Sequence, residues 1–428
     1  MMQATHVLND FVAQNLAPAG AVAQFANGRV IGCRVIGERK PNIPFGINSK
    51  VRVASISKLI TGFCAHQLAL AGKLNLDADC SVHLGFSLRN PNNASQPITT
   101  RMILSHTSGI RDGDNYQGKL GETLQSFFVP DGVNWAGGAH WAHAVSPTPK
   151  FAYSNLGYGV LAQIIENITK QRFDLAAKNL ILGGASIDGG FNWSGISDEL
   201  VSQSSPLYRR AVNSNEWRIQ VDGNPLAVPR PTHNSPNGVP LSEYVIGTNG
   251  LLFSPQGGLR ASIMDLMKLV QILLGKTPLF SPTQITELSR AVWEKPDQAD
   301  TGSEREVFQS FGSGIHRIEP DGQKRFPKSV ERFSDEKRDK QRNLERHSDA
   351  IRMANALGPI IGLKHNLIGH FGEAYGLLGG VWVSPATASG FAWFVNGSLG
   401  EPQAGARTNL FAIEENMMQA CAEDLGMV

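Results

Sequence analysis

The chain contains no apolar run approaching the ~18 or more residues that a membrane-spanning helix requires. It has only four cysteines, Cys33, Cys64, Cys80 and Cys421, and their spacing matches no metal-ligand pattern. Reduced thiols are therefore expected, with Cys64 packed as a small hydrophobe inside a helix. Charge of one sign is missing too. The 39 basic and 37 acidic residues nearly cancel, and no basic stripe stands out, so nucleic-acid binding has no electrostatic footprint. Met1 to Asn15 lacks a basic start and an apolar core, so no signal peptide is read and a cytoplasmic location is expected, becoming periplasmic only if the true start lies elsewhere. No Gly-x-Ser-x-Gly elbow occurs, which removes the α/β-hydrolase triad. Gly275-Lys276-Thr277 has Val270 where a phosphate-binding loop needs glycine. Within 428 residues, 41% apolar and 18% charged, there is material for one large core or a core with a second lobe.

Against those absences, Ser55 and Lys58 carry the most information. They lie in Val53-Ala54-Ser55-Ile56-Ser57-Lys58-Leu59-Ile60, three positions apart, and so share one helix face. A serine hydroxyl is a poor nucleophile until a base comes within hydrogen-bond reach. A buried lysine amine one turn away can be that base. Serine at the helix start would also face free backbone N–H groups and the positive end of the dipole. The pattern is loose. A second copy, Ser334-Asp335-Glu336-Lys337, falls in a highly charged stretch and reads as a solvated helix face.

Two further motifs supply partners. Tyr153-Ser154-Asn155 precedes a helical pattern from Gly157 to Ile168. A free tyrosine is less than about 0.1 per cent phenolate at neutral pH, but neighbouring cations would push it toward the phenolate and let it take a proton. Asn155 can accept from Lys58 and donate to a substrate carbonyl; the plain alternative is a Ser-Asn cap. His370-Phe371-Gly372 is followed by the strand-like run Leu377 to Val383, whereas its decoy His83-Leu84-Gly85 looks like a loop. Glycine in such a strand permits close backbone approach, and a strand N–H beside Ser55 would complete an oxyanion hole.

With Leu104-Ser105-His106-Thr107-Ser108-Gly109-Ile110 and Gly257-Gly258-Leu259-Arg260-Ala261-Ser262, these motifs stand in an order that resembles the serine β-lactamase and penicillin-binding-protein superfamily. The similarity is to the branch of class C β-lactamases, D-Ala-D-Ala carboxypeptidases and related esterases, and runs from about Pro18 to about Gly397. The resemblance implies Ser55 as acylated nucleophile, with Lys58 and Tyr153 as a dyad in which either takes the first proton. It implies Asn155 on the acyl-side carbonyl, His370 and Phe371 at the third motif, and the Ser55 and Glu373 N–H groups as oxyanion hole. No metal or organic cofactor is implied, and the partner is a small ester, amide or β-lactam-like substrate. Class C β-lactamases carry Lys-Thr-Gly at the third motif; here only Lys276-Thr277-Pro278 comes near, in the wrong place. Phe371 replaces a hydroxyl that would bind a substrate carboxylate, which favours an ester or amide without one. The alternatives are a D-Ala-D-Ala carboxypeptidase, D-aminopeptidase or weak β-lactamase, and, outside catalysis, a non-turnover penicillin-binding or sensor protein.

The expected fold is α/β (α+β), an antiparallel sheet flanked by helices plus an all-helical lobe at about 98–250, β-lactamase/transpeptidase-like, in one domain of 1–428. Asn27-Gly28 joins strands Ala21 to Phe25 and Arg29 to Ile36 as a hairpin. Helices are expected from His6 to Ala13, from Ser55 toward Leu70, from Leu259 to Leu274 and from Asn409 to Leu425. The stretch from Gln117 to Lys150, with Phe127, Phe128, Trp135 and Trp141, reads as a cleft wall. His140 and His143 lack a third ligand, so no metal is assigned. The charged run His316 to His347 reads as part of an insertion, about 320–360, forming a solvated helix, or a lid or partner surface.

Overall fold

The computed structural model describes residues 1–142, 151–191, 193, 196–211, 213–223, 243–295, 307–320 and 359–428. The charged run from 321 to 347, the second Ser-x-x-Lys at Ser334 and the residue His143 lie outside the described residues. Nine helices are described: α1 (Met2–Ala13), α2 (Ser57–Leu70), α3 (Thr100–Leu104), α4 (Leu156–Thr169), α5 (Phe173–Ala177), α6 (Asp198–Ser202), α7 (Ile263–Leu273), α8 (Pro282–Ser289) and α9 (Ala412–Asp424).

Both ends of the chain feed one sheet. Strands β1 (Ala19–Ala26), β2 (Arg29–Lys40) and β3 (Ile43–Pro44) come first, followed by two-residue β4 (Val51–Arg52) ahead of Ser55. Short β5 (Leu207–Arg210), β6 (Arg218–Val221) and β7 (Arg260–Ala261) lie in the middle of the chain. The rest are β8 (Trp293–Glu294), β9 (Ser310–Phe311), β10 (His316–Ile318), β11 (Leu367–Ala374), β12 (Leu377–Ser384), β13 (Ser389–Val395) and β14 (Gly397–Leu399). The nine-stranded sheet runs β3-β2-β1-β13-β12-β11-β10-β9-β8, every neighbouring pair antiparallel. At the β1–β2 turn, Asn27 and Gly28 both take positive φ, 52° and 77°, which is why that dipeptide forms so tight a hairpin.

The period-2 alternation of the strands separates two cores. Ala21, Ala23, Phe25, Val381, Val383, Ala392 and Phe394 face one side with residues of α2, α4 and α7. Val22, Leu378, Trp382, Phe391, Trp393 and Val395 face the other, with residues of α1 and α9. Those outer helices are tied by Asp424, whose carboxylate accepts from the Gln3 and Ala4 N–H groups at the start of α1 (3.1 and 3.0 Å).

The helices expected at the N-terminus, after Ser55, from Gly157, before Leu274 and at the C-terminus are present, with shifted ends. The reading Leu259 to Leu274 begins too early, because Ser262 and Asp265 form a capping box that starts α7 at Ile263. The residues before it belong to β7, which pairs with β4 directly ahead of Ser55. The lobe between the sheet halves is not all-helical: its helices, the longest α4, are joined by long loops. A small sheet, β14-β5-β6, links the segment around 207–221 to the strand leaving β13.

Candidate active site

Ser55 sits in a single 3-10 turn, Ala54–Ile56, that leads into α2. Three bonds fasten the approach: the Arg52–Arg260 pairing of β4 with β7, Val53 N–H donating to the Leu259 carbonyl (2.9 Å), and Leu259 N–H donating to Ser57 Oγ (3.0 Å). Ala54 takes the left-handed region at φ 49°, a conformation L-residues avoid, so the chain turns sharply just before the serine.

Lys58 is fully buried at 0% exposure. Its Nζ donates to Ser55 Oγ (3.0 Å), Asn155 Oδ1 (2.7 Å) and the Gln256 carbonyl (3.0 Å). It also lies over the rings of Tyr153 (4.7 Å) and Tyr158 (5.3 Å). Burial penalises the ammonium and pulls its pKa from 10.5 to about 7, with Asp112 opposing part of that fall. At neutral pH the amine is therefore about half unprotonated, and its lone pair can face the serine hydroxyl.

Tyr153 behaves differently from the sequence expectation. Its hydroxyl hydrogen-bonds Ser55, but burial raises its pKa well above 10. Lys58 Nζ lies 4.7 Å from the ring centroid, and burial of the hydroxyl is the larger influence on its protonation. Tyr153 is held as a neutral phenol in hydrogen-bond contact with the serine.

The Tyr153-Ser154-Asn155 turn is built from two loops. His106, at φ 58°, accepts the Ser154 N–H at Nδ1 (3.1 Å), takes the Ala152 N–H on its carbonyl (2.8 Å) and lays its ring 4.4 Å from that of Tyr153. Asp112 takes the Asn155 and Leu156 N–H groups on Oδ1 (2.6 and 2.9 Å) and the Asn155 amide on Oδ2 (2.8 Å). Asn155 thus accepts from Lys58 as expected; one amide hydrogen goes to Asp112 and the other is available to a ligand.

The third motif lies on β11. His370 is 1% exposed; its Nδ1 contacts the Phe371 carbonyl at 2.6 Å, so Nδ1 carries the hydrogen. Burial and then Lys58 push its pKa down to about 3, leaving a neutral ring. Phe371 touches the cleft but is only 7% exposed, packed on Trp382 with ring centroids 4.8 Å apart in the outer core. It removes a hydroxyl from the site without filling it. Gly372 marks the closest approach of strand to nucleophile turn: a Cβ there would stand 2.5 Å from the Val53 carbonyl oxygen. Glu373 follows on the cleft wall.

Ser55, Asp112, Tyr153, Asn155, His370, Phe371 and Glu373 line one cleft of about 1210 Å³ together with Arg52, Tyr116, Arg209, Gln256, Phe308 and Tyr375, and Lys58 and His106 are buried behind that lining. Among the described residues of the aromatic stretch read as a cleft wall, only Gln117, Gly118, Lys119 and Ala139 line it. Phe127, Phe128 and Trp141 are buried in the inner core instead, because a ring gains more from burial than from lining water. His140 is buried, with Nε2 on the Asn134 carbonyl (3.0 Å) and its ring against Phe127. The four cysteines are unpaired, and Cys64 packs in the core as expected. No helix among the described residues is long and apolar enough to cross a membrane.

Asp112, His106, Gln256 and Arg52 escaped the sequence reading as site residues. Asp112 reaches Asn155 across 43 positions, and Gln256 offers Lys58 only a carbonyl, which no side chain announces. Arg52 donates to the Gly257 carbonyl (3.0 Å) and Ser254 Oγ (3.2 Å), bracing the turn that presents that carbonyl.

The sheet, the nucleophile turn and the helical lobe are those of the β-lactamase and transpeptidase fold. A model of the Beta-lactamase family matches residues 5–414, and the chain belongs to that family, whose members are mostly serine hydrolases. Protein flp of Staphylococcus aureus strain MRSA252 is 29% identical over 158 residues, 36% of this chain but only 31% of that protein's length. Penicillin-binding protein 4 of Amycolatopsis lactamdurans is 27% identical over 214 residues, 49% of this chain and 52% of its own. Among solved structures, D-amino acid amidase from Ochrobactrum anthropi SV3 superposes with a TM-score of 0.64 at 15% identity, covering 100% of this chain and 99% of the amidase. The octameric penicillin-binding protein homologue from Pyrococcus abyssi gives 0.63 at 19% identity, covering 98% and 77%.

Proposed function

We propose that the protein is a serine hydrolase that cleaves a small ester or amide through an acyl-enzyme on Ser55. The observation that carries this reading is the 3.0 Å contact between Ser55 Oγ and a fully buried Lys58 amine whose pKa lies at about 7. Lys58 takes the serine proton as Oγ attacks the substrate carbonyl. Tyr153, a neutral phenol hydrogen-bonded to Ser55, gives its proton to the leaving group as the carbonyl C–O or C–N bond breaks and takes back the proton that Lys58 had accepted, leaving a phenol and a free amine again. The free Asn155 amide hydrogen holds the acyl-side carbonyl, and the Ser55 and Glu373 N–H groups receive the developing oxyanion. Water then releases the acyl group, Lys58 again acting as base. With Phe371 turned into the core, no hydroxyl at the third motif waits for a substrate carboxylate, which favours esters and amides over β-lactams.

The test is turnover of p-nitrophenyl acetate and butyrate, D- and L-amino acid p-nitroanilides and nitrocefin, with Ser55→Ala beside the wild type. Multiple turnovers of an ester or anilide, lost in Ser55→Ala, with an acyl adduct on Ser55 by mass spectrometry, are expected. Nitrocefin as the preferred substrate would move the assignment to β-lactamase, and a single stoichiometric burst to a penicillin-binding sensor. Turnover that survives Ser55→Ala refutes the reading.

A further inference from the structure

Asp112 touches neither the serine nor the lysine, yet it is built into both. Its Oδ1 takes the Asn155 and Leu156 N–H groups at 2.6 and 2.9 Å and the Ser154 hydroxyl at 3.3 Å, which pins the turn ahead of α4. Its Oδ2 takes the Asn155 side-chain amide at 2.8 Å. A carboxylate only accepts, so the Asn155 Nδ2 must point at Asp112 and the Oδ1 must point away, onto Lys58 Nζ at 2.7 Å.

The other groups around Lys58 carry no charge at neutral pH. Tyr153, in the turn before α4, and Tyr158, in its first turn, face it, and burial keeps both phenols protonated. His106 from the loop after α3 and His370 from β11 are buried and held neutral. Ser55 and the Gln256 carbonyl complete the shell. Asp112 is thus the counter-charge that acts on the lysine among the described residues.

We propose that Asp112 is the positioning residue of this site: it fixes the amide of Asn155 so that its oxygen receives Lys58, and it is the remote counter-charge of that lysine. The inference rests on the Ser55 acyl-enzyme reading and adds to it a residue that acts through another. Without Asp112, the Asn155 amide is free to turn its NH₂ toward the lysine, and the protonated amine loses its one attractive charge.

The experiment is kcat/KM on p-nitrophenyl butyrate from pH 5 to 9.5 for wild type, Ser55→Ala, Asp112→Asn and Asp112→Glu, with a thermal melt of each. Asp112→Asn is expected to move the acid limb down by about one pH unit, since removing an anion disfavours the ammonium, and to lower the plateau roughly tenfold to a hundredfold through misplacement. Asp112→Glu keeps the charge, so its acid limb should stay at the wild-type position while the plateau falls. A limb unmoved in Asp112→Asn, with only a lower melting temperature, would reduce Asp112 to a helix cap and overturn the proposal. Should Asp112→Asn fail to fold, a displaced limb in Asp112→Glu overturns it equally. Activity surviving in Ser55→Ala marks failure of the underlying reading, which is distinguishable from either.

Discussion

In the proposed acyl-enzyme mechanism the protonation of Lys58 sets the reactivity of Ser55 at neutral pH, and the size of the effect can be worked out. With the ordinary pKa of 10.5, about 0.03 per cent of the amine is neutral at pH 7. At about 7 it is about half neutral, roughly a thousandfold more base, equivalent to roughly 5 kcal/mol of differential interaction. Burial is the larger cause, opposed by Asp112, so the value depends on the closed shell of Tyr153, Tyr158, Asn155 and Gln256. For p-nitrophenyl butyrate, kcat/KM should rise tenfold per pH unit below about 7 and level off above it. Lys58→Arg, which cannot deprotonate, should lose about a thousandfold and the inflection with it. Tyr153→Phe should lower the plateau while keeping the inflection. An inflection near pH 10, or one that persists in Lys58→Arg, refutes the assignment of Lys58 as base.

Acid should unfold the protein steeply. His66, His106, His316 and His370 are buried and their pKa values pushed down, to about 4 for His66 and about 3 for His370. Below the unfolded value near ~6.5 only the unfolded chain takes up these protons, so stability is full above that pH and falls as pH drops toward the folded values. Each histidine contributes roughly 1.4 kcal/mol per pH unit in that window. Urea unfolding at pH 7.5, 6 and 5 checks the slope; equal stability at 7.5 and 5 contradicts it. Gly372→Ala places a Cβ 2.5 Å from the Val53 carbonyl and should cost about 1–3 kcal/mol while forcing β11 off the nucleophile turn. The matching readout is a fall in both melting temperature and kcat/KM, and an unchanged kcat/KM would show that the strand spacing is not critical.

Much of the site was legible because its chemistry is local. Ser55 and Lys58 share a turn, Tyr153 and Asn155 bracket one serine, and Gly372 announces a close backbone approach; each is short-range in the chain and its meaning comes from residue type. The sheet at both ends was equally readable, because alternating apolar residues and the Asn27-Gly28 hairpin are period-2 and turn signals that need no distant partner. The small β14-β5-β6 sheet was not, since its strands are three to four residues long and join positions nearly two hundred apart.

Residue identity and order were sufficient for the family and for pairing Ser55 with Lys58. They were not sufficient for protonation or for the facing of side chains. Whether Tyr153 is a phenol or a phenolate depends on the burial of its hydroxyl. Whether Phe371 fills the cleft or the core depends on the Trp382 ring it packs against from the neighbouring strand. Asp112 gains its meaning only when a loop 43 positions away is folded onto Asn155. Desolvation and long-range hydrogen bonding are sums over surroundings assembled from the whole chain, and only the tertiary structure performs that sum.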